Sequence, residues 1–378
     1  IVPGVTSPLG IAAYTGVPLT HRDHTSVVTF VTGHDVAKID WNKVGTSETL
    51  VIFMGLSQCD EILARVMVAG RAASTPAMAV RWGTRPDQEV ITGTIGTLPG
   101  LIHERGMKPP ATIIVGEVVK LRDKLSWYEK LPLFGRKIVV TRGRQQAGTL
   151  SGVLRQLGAE VIELPTIEIE PASDYAGLDG AIQELESYAW LIFTSANGVN
   201  YFLDRLAKSD KDPRSIRGRI AAIGPATAEA FAGARIKVDL VAEEYVAEGL
   251  LAALSTYDVR GVRVLIARAA VARDVLPLEL TRRGALVDVV EAYRTGAPAE
   301  LAERARQVLA GGPDWITFTS SSTAENLIAA AGAEALGNIR TASIGPITSA
   351  SLRRHGLAVT IEAATFSVPG LVEAIIGG

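Results

Sequence analysis

An internal repeat is the sequence feature that most constrains this chain. Three short segments occur twice, in the same order, in the second half of the sequence. The central segment reads Ile-Gly-Pro-x-Thr in both copies, with its glycine at Gly224 and Gly345, and a further glycine follows each copy at the same interval, at Gly249 and Gly370. Shared segments at near-constant spacing indicate two similar modules built on one plan.

Each repeated segment has the pattern of a strand end followed by a helix start. Ser195 and Ser320 are predicted N-caps that follow apolar runs, and in Ile-Gly-Pro-x-Thr the glycine suits the N-cap and the proline suits the first helical position. Doubly wound sheets bind ligands at the carboxyl ends of their strands, where helix N–H groups favour anions. The repeat therefore predicts an anion-binding edge in each module, although ordinary capping better explains any one segment alone.

A strand–arginine–helix unit also recurs. The interval from Arg142 to Arg268 equals the interval from Gly158 to Gly284, the two glycines that are predicted to end the helices. Strands that alternate with helices predict parallel sheets covered on both faces. With about five strands in each module, the sequence predicts an α/β protein with two flavodoxin-like domains.

Composition excludes several classes of function. The length of 378 residues predicts two to four domains, and 47% hydrophobic with 21% charged residues is typical of soluble globular proteins. The formal net charge of −2 gives no electrostatic case for nucleic acid, and no apolar run is long enough to span a membrane. Cys59, the only cysteine, is predicted to pack in a core. We expect a cytoplasmic protein without nucleic-acid or membrane partners.

Residues 1–130 have the mixed strand and helix pattern of an α/β domain with hairpins at one edge. They show no signal peptide, and residues 1–3 look like the end of a strand, so the chain is expected to begin inside a domain. His21 and His24 flank Arg22 and Asp23, but this spacing matches no standard metal motif. A polar turn is the favoured interpretation, and no metal site is predicted.

This region resembles the carboxyl-terminal lobe of uroporphyrinogen-III C-methyltransferase, a tetrapyrrole methylase that uses S-adenosylmethionine. The segments that carry the resemblance are residues 3–7, 11–23, 30–34, 53–55, 81–84 and 114–119. The resemblance implies that the cofactor pocket is lined by Thr6, Ser7, Met54 and Gly83. The family's amino-terminal lobe is absent from this sequence, so S-adenosylmethionine is expected only if that lobe is supplied. The resemblance also leaves open a dimer through this part.

The rest of the chain resembles uroporphyrinogen-III synthase. The residues that carry this resemblance are 194–195, 222–227, 247–250, 283–285, 291–295, 318–320, 344–348 and 370–371. The family's chain path implies one synthase domain from residues 136–168 and 297–378 and a second from residues 169–296, with substrate in the cleft. They would follow a methylase lobe of residues 1–119 and a charged linker of residues 120–135.

The resemblance implies a bifunctional protein of tetrapyrrole biosynthesis. Its synthase would close hydroxymethylbilane to uroporphyrinogen III without a cofactor, losing water and inverting the last pyrrole ring. Tyr293 is the candidate catalytic donor to the departing hydroxyl group, with a packed aromatic as the alternative. Predicted substrate contacts are Arg142, Ser195, Thr227, Arg268, Ser320, Gly345, Thr348 and Ser367. Two other functions stay open, an active methyltransferase completed by a missing lobe and a non-catalytic two-lobed binding module.

Overall fold

The structure, a computed structural model, describes residues 4–378, with the backbone alone for residues 144–147. Residues 1–3, for which a strand end is expected, lie outside the described residues. The chain forms two compact units, one of residues 1–165 and 300–378 and the other of residues 166–299. The first contains one mixed and one parallel sheet, and the second contains one sheet. The predicted α/β fold class is confirmed.

The described residues form the following strands and helices. The strands are β1 (Val28–Thr32), β2 (Thr49–Phe53), β3 (Pro76–Arg81), β4 (Glu89–Thr94), β5 (Ala111–Val115), β6 (Lys137–Val140), β7 (Glu160–Glu163), β8 (Glu168–Pro171), β9 (Trp190–Phe193), β10 (Arg219–Ala222), β11 (Leu240–Val241), β12 (Arg263–Ala269), β13 (Leu286–Gly296), β14 (Trp315–Phe318), β15 (Arg340–Ser343) and β16 (Ile361–Glu362). The helices are α1 (Ser7–Thr15), α2 (Trp41–Val44), α3 (Cys59–Val68), α4 (Leu98–Arg105), α5 (Arg122–Leu125), α6 (Arg144–Gln156), α7 (Ala176–Gln183), α8 (Ala196–Leu206), α9 (Pro225–Gly233), α10 (Ala247–Ala253), α11 (Val275–Arg282), α12 (Leu301–Ala310), α13 (Ser321–Ala331), α14 (Ala333–Leu336), α15 (Pro346–Arg354) and α16 (Val368–Gly377).

The mixed sheet has the strand order β1-β2-β5-β3-β4. β2 and β3 are each antiparallel to β5, which lies between them, so these two strands run in the same direction. Both are buried along nearly their whole length, which is why they read as continuous apolar runs. Cys59 packs in this core as predicted, and burial raises the pKa of its thiol to about 12.

The segment predicted as a linker packs on α1. Trp127 Nε1 donates a hydrogen bond to the carbonyl oxygen of Ala13 at 2.9 Å, and Arg122 Nη1 donates to the carbonyl oxygen of Thr15 at 2.7 Å. Tyr128 is buried. The charged residues of this segment indicate a solvent-exposed linker, but Arg122, Trp127 and Tyr128 hold it against the methylase-like domain.

The two remaining sheets show the repeat in three dimensions. The parallel sheet of the first unit has the order β16-β15-β14-β6-β7, and the sheet of the second unit has the order β11-β10-β9-β12-β13 followed by β8. The first five strands of each sheet correspond position by position, although β6 and β7 come first along the chain and their counterparts β12 and β13 come last. Both are doubly wound sheets, as the alternating pattern predicts. Numbered along the chain, the strands of the first lie in the flavodoxin-like order 2-1-3-4-5, whereas those of the second, without β8, lie in the order 3-2-1-4-5.

β8 is the departure from an all-parallel sheet. It pairs antiparallel with the end of β13, with Tyr293 opposite Pro171 and Gly296 opposite Glu168. Through these two stretches the chain enters and leaves the second unit, so their directions are opposed. The sequence indicates that residues 161–170 are extended, but a short segment bounded by prolines carries no signal for the direction of its pairing.

Candidate functional site

The repeated serines are helix N-caps in both modules. Ser195 Oγ accepts a hydrogen bond from the N–H of Gly198 at 3.0 Å at the start of α8. Ser320 caps α13 in the same way and forms a capping box with Thr323. The two N-cap predictions are confirmed. Because each cap bonds the third amide of its helix, the first and second amides are left without an acceptor inside the helix.

The Ile-Gly-Pro segments also fold as predicted. Gly224 and Gly345 are the N-caps of α9 and α15, with proline at the start of each helix. Thr227 and Thr348 lie in the first turns with buried side chains. Burial favours packing for these side chains, so a ligand at either helix start would meet backbone amides rather than threonine hydroxyls.

Ser367 and the two arginines occupy the remaining predicted positions. Ser367 caps α16, and its Oγ accepts from the N–H of Gly370 at 3.2 Å. Arg268, in β12, pairs with Asp274 and donates to the carbonyl oxygen of Arg273. Arg142 follows β6 and is half-buried, with interactions of its own inside the chain. The pairing of Arg268 favours a role in holding the loop that follows β12.

Tyr293 lies beside the start of α8. Its hydroxyl is 3.0 Å from Ser195 Oγ, and the side chain is 7% exposed. The register of β13 against β12 shifts here, since Arg268 pairs with Glu291 but Ala269 pairs with Tyr293. A bulge of this kind re-aims a side chain, and bulges are frequent next to active sites.

Tyr201 is a neighbour of this site that the sequence does not predict. It lies on α8, and its ring stacks on that of Tyr293 with centroids 5.9 Å apart. Burial, reinforced by nearby acidic groups, raises the pKa of Tyr201 and so favours its neutral form. The two tyrosines come from different elements, and no spacing along either element indicates the pair.

Two of the four residues implied to line a cofactor pocket lie at the carboxyl ends of strands in the mixed sheet. Met54 follows β2, and Gly83 follows β3. Thr6 and Ser7 mark the start of α1, and a methyl group placed on Gly83 would lie 2.5 Å from Cγ1 of Ile11, so α1 packs directly on this turn. The topology therefore supports a common location, although Met54 is 67% exposed and this edge is open.

Three non-glycine residues at this edge have a left-handed backbone. Met54, Trp82 and Thr84 have positive φ angles of 49°, 49° and 76°. Non-glycine residues adopt this region rarely, and such residues cluster at ligand sites. The strained positions coincide with the strand ends that the resemblance assigns to cofactor binding.

His21 and its neighbours form a turn, as predicted. His21 and Thr25 form an isolated antiparallel bridge, and the ring centroids of His21 and His24 are 5.0 Å apart. In the part of the chain that the structure describes, no group of three or more His, Cys, Asp or Glu residues is placed to hold a metal ion. Across the same residues, no helix has the length and apolar character needed to cross a membrane.

Known proteins match both regions of the chain. A family model described as Uroporphyrinogen-III synthase HemD matches residues 148–373, and one described as Tetrapyrrole (Corrin/Porphyrin) Methylases matches residues 1–99. The porphyrin biosynthesis protein HemD of Ruminiclostridium josui is 34% identical over 364 residues, which cover 94% of this chain and 72% of that protein.

Two further comparisons each cover one region of the chain. The siroheme synthase of Chromobacterium violaceum is 50% identical over 134 residues, 34% of this chain, which spans only 28% of that protein. A solved structure of a mutant uroporphyrinogen III synthase from Thermus thermophilus is 17% identical with a TM-score of 0.45, covering 64% of this chain and 97% of that one. The sequence similarities fall in the same two regions as the resemblances carried by the motifs.

Proposed function

This chain belongs to the uroporphyrinogen-III synthase HemD family, and we propose that it closes hydroxymethylbilane to uroporphyrinogen III with loss of one water. The arrangement that best supports this is the duplicated set of capped helix starts at the carboxyl ends of parallel strands in two sheets. Hydroxymethylbilane carries acetate and propionate groups, and amide donors at helix starts bind carboxylates without a basic surface. No cofactor is required by this proposal.

Each helix start contributes little to the free energy of substrate binding, so several of them are needed. One charge at an exposed helix end is stabilised by about 0.3–1 kcal/mol, and by more when it is partly buried. Several such contacts fix the conformation of a flexible linear substrate. Holding two reacting carbon atoms together can lower a barrier by about 7–11 kcal/mol, because the entropy of bringing them together is lost on binding rather than in the reaction.

Tyr293 is the proposed donor to the departing hydroxyl group. As the bond from carbon to that oxygen breaks, the Tyr293 hydroxyl donates a hydrogen bond to the oxygen, which leaves as water with a proton that the substrate releases from a pyrrole N–H. Ser195 Oγ, 3.0 Å away, holds the phenol hydroxyl in place. Ser195 is itself fixed by the N–H of Gly198, so the phenol is oriented by a short chain of hydrogen bonds that begins in α8.

The identity of the product tests this function. Incubated with hydroxymethylbilane, the protein is expected to yield the type III macrocycle, in which the last ring is inverted. Uncatalysed ring closure without inversion gives the type I macrocycle. Type I alone, at the rate seen without protein, would favour a non-catalytic binding module.

Replacing Ser320 with aspartate separates carboxylate binding from helix capping. Aspartate is as good an N-cap as serine, so stability should be retained, but its charge opposes a substrate carboxylate at α13. We expect the KM for hydroxymethylbilane to rise about three- to tenfold, at unchanged melting temperature. Ser320→Asn, which caps without charge, is the matched control and should keep the KM near that of the parent. An unchanged KM in Ser320→Asp would leave Ser320 with capping alone.

We also propose that residues 1–119 supply one wall of an S-adenosylmethionine pocket, which would be completed by a second lobe. The residues that would hold the cofactor are Thr6, Ser7, Met54 and Gly83, and the cofactor would supply a methyl group. The exposed Met54 side chain and the exposed start of α1 fit an uncovered wall. We propose in addition that the protein dimerises through this part, that it is cytoplasmic and that it has no nucleic-acid partner.

Calorimetry with S-adenosylmethionine tests whether this wall binds the cofactor without a second lobe. Because the chain presents one wall, it is expected to give no saturable heat on titration with the cofactor. Saturable binding would contradict that expectation and favour an active methyltransferase as the second function.

A further inference from the structure

An exposed aromatic residue occupies the same position in both modules. Tyr245 follows Gly224 at the same interval as Phe366 follows Gly345. Their side chains are 63% and 66% exposed. Single exposed apolar residues are common and need no explanation. Two at equivalent places in the two modules indicate a shared cause.

Each ring lies against the glycine that caps the adjacent helix. A methyl group placed on Gly224 would be 3.1 Å from Cδ1 of Tyr245, and one placed on Gly345 would be 2.9 Å from Cδ1 of Phe366. Both distances are shorter than ordinary van der Waals contact. Glycine is therefore needed for the aromatic ring to rest on the helix start, and one face of each side chain is covered by that contact.

The backbone that carries each ring is also fixed in the same way. The N–H of Val246 donates to the carbonyl oxygen of Glu244 at 2.8 Å, and the N–H of Ser367 donates to that of Thr365 at 2.7 Å. Each aromatic residue is the middle residue of this tight turn. The ring is thus held by a turn on one side and by a capping glycine on the other, which is more order than a loose surface loop provides.

This arrangement suits a flat ligand. A large aromatic side chain left in water forgoes the free energy of its burial, and a ligand that covers the ring recovers it. Resting on the proposed synthase function, we propose that Tyr245 and Phe366 each stack on a pyrrole ring of the tetrapyrrole. The carboxylates of that ring then reach the amides of α9 or α15. Stacking fixes the plane of the ring, which carboxylate contacts alone leave free.

Leucine substitutions test the proposal with a stable protein. Leucine keeps an apolar cover over Gly224 or Gly345 but removes the aromatic face. Tyr245→Leu and Phe366→Leu are each expected to raise the KM for hydroxymethylbilane about 3- to 10-fold, with the melting temperature unchanged. Tyr245→Phe and Phe366→Tyr keep the ring and should retain the parent KM. Leu278→Ala, which removes a similarly exposed apolar side chain from α11, is the matched control.

The outcomes separate this inference from the function on which it rests. If the parent protein forms no type III product, the proposed function and this inference are both wrong. A parent that forms it, with either leucine variant keeping the parent KM, would overturn the stacking role alone. A KM that rises equally in Tyr245→Phe or Phe366→Tyr would also overturn it, because loss of the aromatic face would not be the cause.

Discussion

Replacing Tyr293 with phenylalanine should lower the turnover number for cyclisation of hydroxymethylbilane about 10- to 1000-fold. The variant keeps the ring that stacks on Tyr201 but loses the hydroxyl 3.0 Å from Ser195 Oγ. A positioned donor to a group that becomes charged in the transition state contributes an effect of this order. Steady-state kinetics with separate kcat and KM values measure it, and the loss should fall on kcat.

Tyr257→Phe is the matched control for this experiment. Tyr257 belongs to the same unit but precedes β12. It packs against Trp190, the first residue of β9, and so lies at the amino-terminal ends of the strands, whereas Tyr293 lies near their carboxyl ends. Loss of its hydroxyl should leave kcat unchanged. If Tyr293→Phe turns over as fast as the Tyr257 control, Tyr293 is a packed aromatic and the departing hydroxyl is assisted by another group.

Replacing Gly249 with alanine should destabilise the second unit by about 1–3 kcal/mol. A methyl group there would lie 2.2 Å from the carbonyl oxygen of Glu244, which is backbone and cannot move aside. Gly370 in the other module stands in the same relation to Thr365, also at 2.2 Å. This close approach explains why a glycine recurs at the same interval after each Ile-Gly-Pro segment. Chemical denaturation followed by circular dichroism measures the change.

Gly180→Ala is the control for that loss. Gly180 lies within α7, and a methyl group added there would have no neighbour within 4 Å. Alanine is favoured over glycine in a helix by about 1 kcal/mol, so this variant should be as stable as the parent or more so. Equal stability of Gly249→Ala and Gly180→Ala would show that the turn at Glu244 relaxes without cost.

The sequence predicts those features of the molecule that depend on residues close together in the chain. Ser195 and Ser320 cap helices because a short hydroxyl side chain after a strand can reach the third amide of the helix. Proline after Gly224 and Gly345 fixes the first helical turn. The repeat of these local signals predicts two similar sheets, and five strands of one sheet match five strands of the other position by position.

Features that depend on how distant parts of the chain pack together are not predictable in this way. The bulge that places Tyr293 depends on how β13 pairs with β12, and its stacking on Tyr201 depends on how α8 crosses the sheet. The antiparallel direction of β8 follows from the chain path between units. The burial of Thr227 and Thr348 likewise depends on packing around their helices. Their predicted substrate contacts, like those of the other site residues, remain predictions.

Backbone amide chemical shifts on binding the product test the central claim most directly. The claim is that amides at helix starts in both modules bind the carboxylates. With uroporphyrinogen III added, the largest shifts should fall on the first free amides of α8, α9, α13 and α15, which are those of residues 196–197, 226, 321–322 and 347. Shifts confined to other surfaces, with these amides unchanged in both modules, would contradict the account.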